Sequence, residues 1–413
     1  MRKLIRPIAI VLGVILLGIG GFALYVDIDG IPKYTPEPIA LHVNATPDKV
    51  ARGKHLATML CAECHLDATT GGLTGKDMGA PPAFGVIHSK NITNDPKVGI
   101  GAWTDGEIAY LLRTGIAKDG QYIPPYMAKL PHMADEDIEA VISFLRSDDP
   151  WVKARDTANI DSKPTFLVKF LAHVAWKPLA YPTKRIDPPP QGDEVALGKY
   201  LTWNLECWTC HSSDFKKIDV MEPEKTPGYL GGGNDLGMDH GRHVVTPNVT
   251  FDDATGIGKW SRADFVKAIR ARLRPDGSII QEPMMSYFEL SEEEAGSIYE
   301  YMKTAPKISN AIERNAAPPN AGSAAVAGAS PESEGARIYH KYACNGCHGE
   351  TGVGTCDLRT GSQKYPADED LKAYIQHPHA KVADSKMPAW DGVIKDDEYA
   401  PLMAYVRELG AAK

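Results

Sequence analysis

At 413 residues, 43% of them hydrophobic, the chain is long enough to form two to four packed domains. Its net charge of −8 at pH 7 argues against nucleic acid as a partner and favours one that offers a basic docking face.

The first predicted element is an apolar helix. Arg2, Lys3 and Arg6 precede an uncharged run from Pro7 to about Val26 that ends at Asp27. About 20 such residues suffice to cross a bilayer. A cleaved leader has a shorter apolar core and a small-residue cleavage site, and Gly21-Phe22-Ala23-Leu24-Tyr25 offers no such site. Residues 1–28 therefore read as a retained transmembrane anchor. The absence of a cysteine near the run excludes lipoprotein attachment. Positive residues before the span place the N-terminus in the cytoplasm and the rest of the chain outside. In a bacterium that is the periplasmic side of the inner membrane.

Three pentapeptides follow in order: Cys61-Ala-Glu-Cys64-His65, Cys207-Trp-Thr-Cys210-His211 and Cys344-Asn-Gly-Cys347-His348. Each is the attachment signature of a c-type haem, because two thiols three residues apart bond the two vinyl groups of one porphyrin and the adjacent His reaches the iron. Six of the seven cysteines fall in these motifs, leaving Cys356. A structural zinc site would need a second ligand pair for each motif, and a thioredoxin-like site a βαβ context; neither is present. Structural disulfides would make three identical spacings ending in His a coincidence. Three covalently bound haem c groups are the expectation, with His65, His211 and His348 as proximal ligands.

At an offset of 157 residues the chain gives an ungapped match with itself that begins after the haem motifs. Asn91-Ile-Thr-Asn-Asp-Pro-Lys-Val-Gly-Ile-Gly-Ala-Trp103 falls on Asn248-Val-Thr-Phe-Asp-Asp-Ala-Thr-Gly-Ile-Gly-Lys-Trp260, Arg113 on Arg270, and Asp119-Gly120 on Asp276-Gly277. Two homologous domains, 45–160 and 191–305, are expected. Each opens with a helix carrying a Gly before its Cys pair (Gly53, Gly198). Each closes with an amphipathic helix whose acidic first turn complements the helix dipole. The register also selects the sixth iron ligands. Of Met78, Met127, Met133, Met284 and Met285, only Met127 and Met284 coincide; Met133 falls on Leu290 and reads as core, and Met285 falls on Ala128. Trp103, Trp260, Arg113 and Arg270 read equally as haem-edge or propionate contacts and as residues that pack and cap their helices.

Between these domains, at 161–190, lies an apolar segment starting at Thr165-Phe-Leu-Val-Lys-Phe-Leu-Ala-His, too short and too charged to span a membrane. Packing between domains is its expected role, with a membrane-interface helix the second reading. Residues 306–332, rich in small residues and Pro, read as a flexible linker. A third domain, 333–413, repeats the order of parts: a helix with Gly335, the third motif, Met387-Pro388 in a loop as the sixth ligand, and a closing helix. Met403 reads as core, Cys356 as a small buried side chain rather than a thiolate ligand. His55, His88, His132, His240, His243, His377 and His379 do not recur at the offset, and read as surface or structural.

The paired Asn-Ile/Val-Thr and Gly-Ile-Gly-x-Trp segments resemble those of the cytochrome c subunit of bacterial membrane-bound alcohol and gluconate dehydrogenases, over most of residues 45–305. The third domain resembles a single-haem class I cytochrome c, in which a loop carbonyl after the motif orients the proximal His; Thr355-Cys356-Asp357-Leu358 occupies that region. The resemblance implies a mainly α fold of three class I cytochrome c domains, here following an N-terminal transmembrane helix that stands in place of the family's cleaved signal, with a long linker before the last domain. It implies electron transfer between redox partners: a dehydrogenase subunit, a quinol-oxidising complex or a terminal oxidase. Iron held by His and Met in both oxidation states has no open position for substrate, so an electron carrier is expected rather than an enzyme. The competing reading is a haem enzyme with one open iron, peroxidase-like or acting on a small molecule.

Overall fold

The computed structural model describes residues 2–239, 242–281, 283–313, 333–354, 356–358, 363–382, 385 and 387–411. Most of the linker expected at 306–332, and His240, lie outside the described residues. Among the described residues the fold is mainly helical, with two small antiparallel sheets.

Helix α1 spans Arg2–Asp29. Its Ile10–Asp29 stretch is, among the described residues, the one helix long and apolar enough to cross a membrane, and only 6% of it is buried. By length and composition a membrane anchor and a signal sequence both fit it.

Helix α2 (Pro47–Leu60) starts where the Thr46 hydroxyl accepts the Lys49 amide, with Pro47 in the first turn. The short α3 (Ala62–His65) carries the first motif. Helix α4 (Asp105–Thr114) opens on a capping box between Thr104 and Glu107 and stops at Gly115, whose φ of 81° few other residues adopt. Helix α5 (Asp135–Leu145) has three acids in its first turn. Strands β1 (Gly85–Val86) and β2 (Lys163–Pro164) pair just before α6 (Phe166–Val174). Helix α7 (Glu194–Asn204) leads into α8 (Cys207–Cys210) and the hairpin β3 (Asp235–Asp239) and β4 (Arg242–Val245). Helices α9 (Arg262–Ala271) and α10 (Glu292–Met302) both open on capping boxes, at Ser261 and Ser291. The C-terminal part holds α11 (Glu334–Lys341), α12 (Asn345–His348), α13 (Asp368–Gln376) and α14 (Tyr399–Ala411).

Three helix pairs organise this order: α2 with α5, α7 with α10, and α11 with α14. Each is closed by a glycine at the crossing. A Cβ added at Gly53 would stand 1.8 Å from the Ala140 carbonyl oxygen, at Gly198 1.9 Å from that of Ser297, and at Gly335 2.2 Å from that of Pro401. Bare backbone is what lets the paired axes approach so closely. The first two pairs share one apolar core, from Leu56, Ile142 and Phe144 to Leu201, Leu290 and Ile298. The third has its own, around Tyr339, Trp390 and Leu402. Helix α6 packs on α1, with Val26, Val168 and Ala172 fully buried, rather than wedging between the first two pairs.

Because the carbonyls facing these glycines are helical backbone, they cannot swing aside. Gly53→Ala and Gly198→Ala are each expected to cost about 1–3 kcal/mol, as for an overpacked core, and to lower the thermal midpoint by several degrees. A scan of haem-loaded protein followed in the Soret band checks this; an unchanged midpoint would place the crossing elsewhere.

Candidate haem sites

The three motif histidines share one local geometry. His65 Nδ1 lies 2.7 Å from the carbonyl oxygen of Lys90, His211 Nδ1 3.0 Å from that of Pro247, and His348 Nδ1 2.8 Å from that of Cys356. A carbonyl only accepts, so Nδ1 carries the proton in each case and Nε2 keeps its lone pair. Burial lowers the pKa of all three imidazoles, against the pull of these backbone bonds, and so holds them neutral. That is the state in which a ring nitrogen can bind iron.

Lys90 and Pro247 are 157 residues apart, and each immediately precedes the Asn of a recurring segment. Asn91 Oδ1 accepts the amide and hydroxyl of Thr93, while its Nδ2 donates to the carbonyls of Arg155 and Thr157. Asn248 accepts from Thr250 in the same way and donates to Thr255 Oγ1 and the Ile308 carbonyl. The Asn-x-Thr unit is thus a clamp. It ties the loop bearing the carbonyl to the chain that runs on beyond the closing helix. In the C-terminal part a shorter device does the same: the Cys356 amide donates to the Cys347 carbonyl, which brings the Cys356 carbonyl to His348.

The candidate Met residues occupy matching turns. The Met127 amide bonds the Pro124 carbonyl and the Met284 amide that of Gln281, and both side chains are half-buried against the shared core, on which Cys61 and Cys207 also pack. Met285 packs there too, and Met133 and Met403 are buried core residues. Met387 lines a cavity of about 460 Å³ together with Cys344, Cys347, His348, Tyr339 and Trp390, a size within the roughly 300–1,000 Å³ of cofactor sites. Desolvation pushes the thiols of Cys61, Cys207 and Cys344 up to about 12. No cysteine forms a disulfide, Cys64 and Cys210 included, and among the described residues no three His, Cys, Asp or Glu side chains cluster as a metal site.

Arg113 and Arg270 both tie to the acidic first turn of a closing helix. Arg113, buried, sits 2.6 Å from Asp135 and donates to the carbonyls of Leu130 and Met133; Arg270 is 3.7 Å from Glu292. Helix packing therefore accounts for Arg113. Arg270 goes further: it lines the cavity around His348, and its buried Nε has no partner.

Residues 50–148 match the family model of cytochrome c, and residues 330–406 match that of cytochrome c oxidase, cbb3-type, subunit III. The chain carries cytochrome c domains. It is homologous, at modest identity over most of its length, to cytochrome c subunits of alcohol, fructose and gluconate dehydrogenases. The alcohol dehydrogenase (quinone) cytochrome c subunit of Gluconacetobacter polyoxogenes is 27% identical over 336 residues, covering 76% of this chain and 68% of that protein. The fructose dehydrogenase cytochrome subunit of Gluconobacter japonicus is 26% identical over 349 residues, 78% and 67% of the two chains. For the gluconate 2-dehydrogenase cytochrome c subunit of Pantoea cypripedii the figures are 28% over 271 residues, 62% and 59%. Cytochrome c domains imply covalently bound haem c, and the paired thiols, neutral imidazoles and apolar cavity fit that group.

Sequence reasoning missed how the cytochrome brings its motifs together. Segment 286–289, just after Met284, lies beside the third motif, the chain just before the second, and the helix that leads into the first. Ser286 hydrogen-bonds the Cys347 thiol, buried Tyr287 donates its hydroxyl to the Leu205 carbonyl, Phe288 lines the cavity around His348, and Glu289 lies 3.8 Å from His55. Two of the spare histidines bridge the first two helix pairs. His132 bonds the Val220 carbonyl and meets the edge of Trp203, and His55 sits 3.1 Å from Glu294. Arg52 joins them by pairing with both Asp137 and Glu294, while Tyr200 donates to Asp137.

Burial alone would lower His55, but hydrogen bonds to Glu289 and Glu294 outweigh it and raise the pKa from 6.5 to about 9. Glu294 is opposed by burial and drawn down to about 2, chiefly by His55. A raised histidine stabilises the fold fully below its unfolded value and loses that contribution as pH climbs through its folded one. A depressed carboxylate contributes above its unfolded value of about 4.5, and loses this as pH falls through about 2. The junction is therefore expected to be firmest between about pH 4.5 and 6.5 and to weaken from pH 6.5 to 9. In melts of holoprotein across that alkaline range, His55→Ala should flatten the fall of the midpoint; a wild-type slope in the variant would remove His55 from the effect.

Proposed function

We propose that the protein is a membrane-anchored, three-haem electron carrier. Its haem domains, 45–160, 191–305 and 333–413, lie on the periplasmic side of a bacterial inner membrane, held by residues 1–28, with 161–190 and 306–332 as connectors. The first two domains derive from one another by internal duplication. Cys61 and Cys64, Cys207 and Cys210, and Cys344 and Cys347 are the attachment pairs. His65 with Met127, His211 with Met284, and His348 with Met387 are the axial pairs.

The observation that carries this reading is that one segment, 286–289, touches the site of the third motif, the chain just before the second and the helix that leads into the first. Haems that only stabilised three separate folds would have no reason to gather there; haems that exchange electrons would. Haem c, when bound, supplies the one-electron couple. The chain supplies the rest. Its imidazoles are fixed in one tautomer by backbone carbonyls, so ligation costs little reorganisation when charge changes. Thioether sulfurs in the Met positions favour a raised potential. Arg270 offers its unpartnered Nε to the cavity around His348, where a propionate of the third haem would be the fitting acceptor.

The relatives are subunits of dehydrogenase complexes, which supports a dehydrogenase subunit as electron donor. A quinol-oxidising complex as donor and a terminal oxidase as acceptor share the same chemistry, and the match of residues 330–406 to an oxidase subunit model is compatible with the second.

The reduced spectrum with and without carbon monoxide tests the ligand assignment. Purified protein should contain three haems by pyridine haemochrome, none of which binds carbon monoxide. Met127→Ala, Met284→Ala and Met387→Ala should each open one of the three and lower its potential. A variant with an unchanged spectrum would mean the wrong Met was chosen for that haem. Carbon monoxide binding by the unaltered protein would move the reading to an enzyme with an open iron.

A further inference from the structure

We infer that α6 is a second membrane contact, a short helix lying in the headgroup region and seating the first haem domain on the bilayer. The inference rests on α1 being the membrane anchor.

At 100° per residue α6 divides into three faces. Val168 and Ala172, fully buried, face inward. Lys169 and His173 grip the end of α1: Lys169 Nζ is 2.8 Å from Asp27, and His173 Nε2 is 3.1 Å from the Gly30 carbonyl oxygen and 3.4 Å from Asp29. The remaining face, Phe166, Leu167, Phe170, Leu171 and Val174, is wholly apolar and turned outward, with Phe166, Leu167 and Val174 between 43% and 48% exposed. Monomeric soluble surfaces seldom gather that much apolar area without a use.

What covers it follows from its place beside α1. The apolar run of α1 starts at Pro7, and about 20 residues at about 1.5 Å each cross a hydrocarbon core of roughly 30 Å, so residues near Val26 stand at the outer boundary. Helix α6 packs at that level, since its partners are Phe22, Tyr25, Asp27, Asp29 and Gly30. Phe166 stacks on Phe170, and Phe170 meets the edge of Phe22, so the outward face of α6 runs without a break into the exposed apolar surface of α1. Exposed Lys163 and Lys177 flank the helix, and half-buried Trp176 follows it. An apolar stripe with lysines at both ends and an adjoining indole is the composition that settles among anionic headgroups.

The test uses the full haem-loaded chain in liposomes containing phosphatidylglycerol, with p-benzoylphenylalanine placed singly at Leu167, at Leu16 on α1 and at Val195 on α7. After irradiation, peptide mass spectrometry reads lipid adducts. Adducts at 167 and 16 and none at 195 are expected. An adduct at 16 alone would overturn the inference while leaving the anchor intact. Adducts at neither 16 nor 167 would remove the anchor and the inference with it. A peptide crosslink at 167 in place of lipid would mean that protein covers α6, and would also overturn it.

Discussion

A hydrogen bond from imidazole Nδ1 to a main-chain carbonyl fixes each of the three motif histidines, and much of the architecture can be understood as holding those carbonyls still. A free imidazole interconverts between tautomers and swings about two side-chain torsions. Bonded through Nδ1, it presents Nε2 in one direction and one protonation state. The loops that deliver the carbonyls differ in length, because the acceptors are Lys90, Pro247 and Cys356. The geometry at the ring does not. Rigidity is therefore needed in the loop, and the Asn91–Thr93 and Asn248–Thr250 clamps provide it by anchoring the loop to the chain beyond the closing helix.

That dependence links the haem sites to the helix pairs. The chain beyond α5 is positioned by α5, and α5 by the contact of its Ala140 carbonyl with Gly53 of α2, the helix that delivers the first motif. The circuit closes on itself: motif, carbonyl loop, clamp, closing helix, glycine crossing, motif. The second helix pair repeats it through Ser297 and Gly198. Arg113 with Asp135 and Arg270 with Glu292 brace each circuit at the start of the closing helix. A single core joining the first two circuits, with Arg52, His55 and Glu294 across their polar seam, makes a rigid base. The C-terminal part, with its own core, sets its cavity against residues of that base.

Features carried by residue identity in a local pattern were legible in the sequence. The Cys and His spacings, Gly53 and Gly198, and the acidic first turns of α5 and α10 are all readable as letters. The self-alignment also singled out Asn91 and Asn248, yet their job was not readable. The atom that matters is the carbonyl of the preceding residue, and a backbone acceptor leaves no side-chain signature: Lys stands there in one copy and Pro in the other. Long-range polar pairs were hidden for a related reason. His55 and Glu294, or Arg52 and Glu294, meet only after two helix pairs have docked, so no local pattern marks them. The packing of α6 was misjudged because its apolar stripe suits a domain seam as well as it suits α1, and only the Lys169 and His173 bonds to the end of α1 separate the two.

The arrangement of segment 286–289 ties local geometry to function. Met284 and Ser286 are two residues apart, so the turn that carries the Met proposed for the second haem also reaches the Cys347 thiol of the third motif. Tyr287 lies between, buried with its hydroxyl on the Leu205 carbonyl, two residues before Cys207. A change of charge at any one proposed haem would then be felt at its neighbours through a shared, poorly solvated medium, where electrostatic coupling is stronger than in water. If the proposed haems lie close together, their potentials would not be independent. Reduction of one would then raise the cost of reducing the next, which would spread the couples over a range and favour stepwise passage of single electrons over their accumulation.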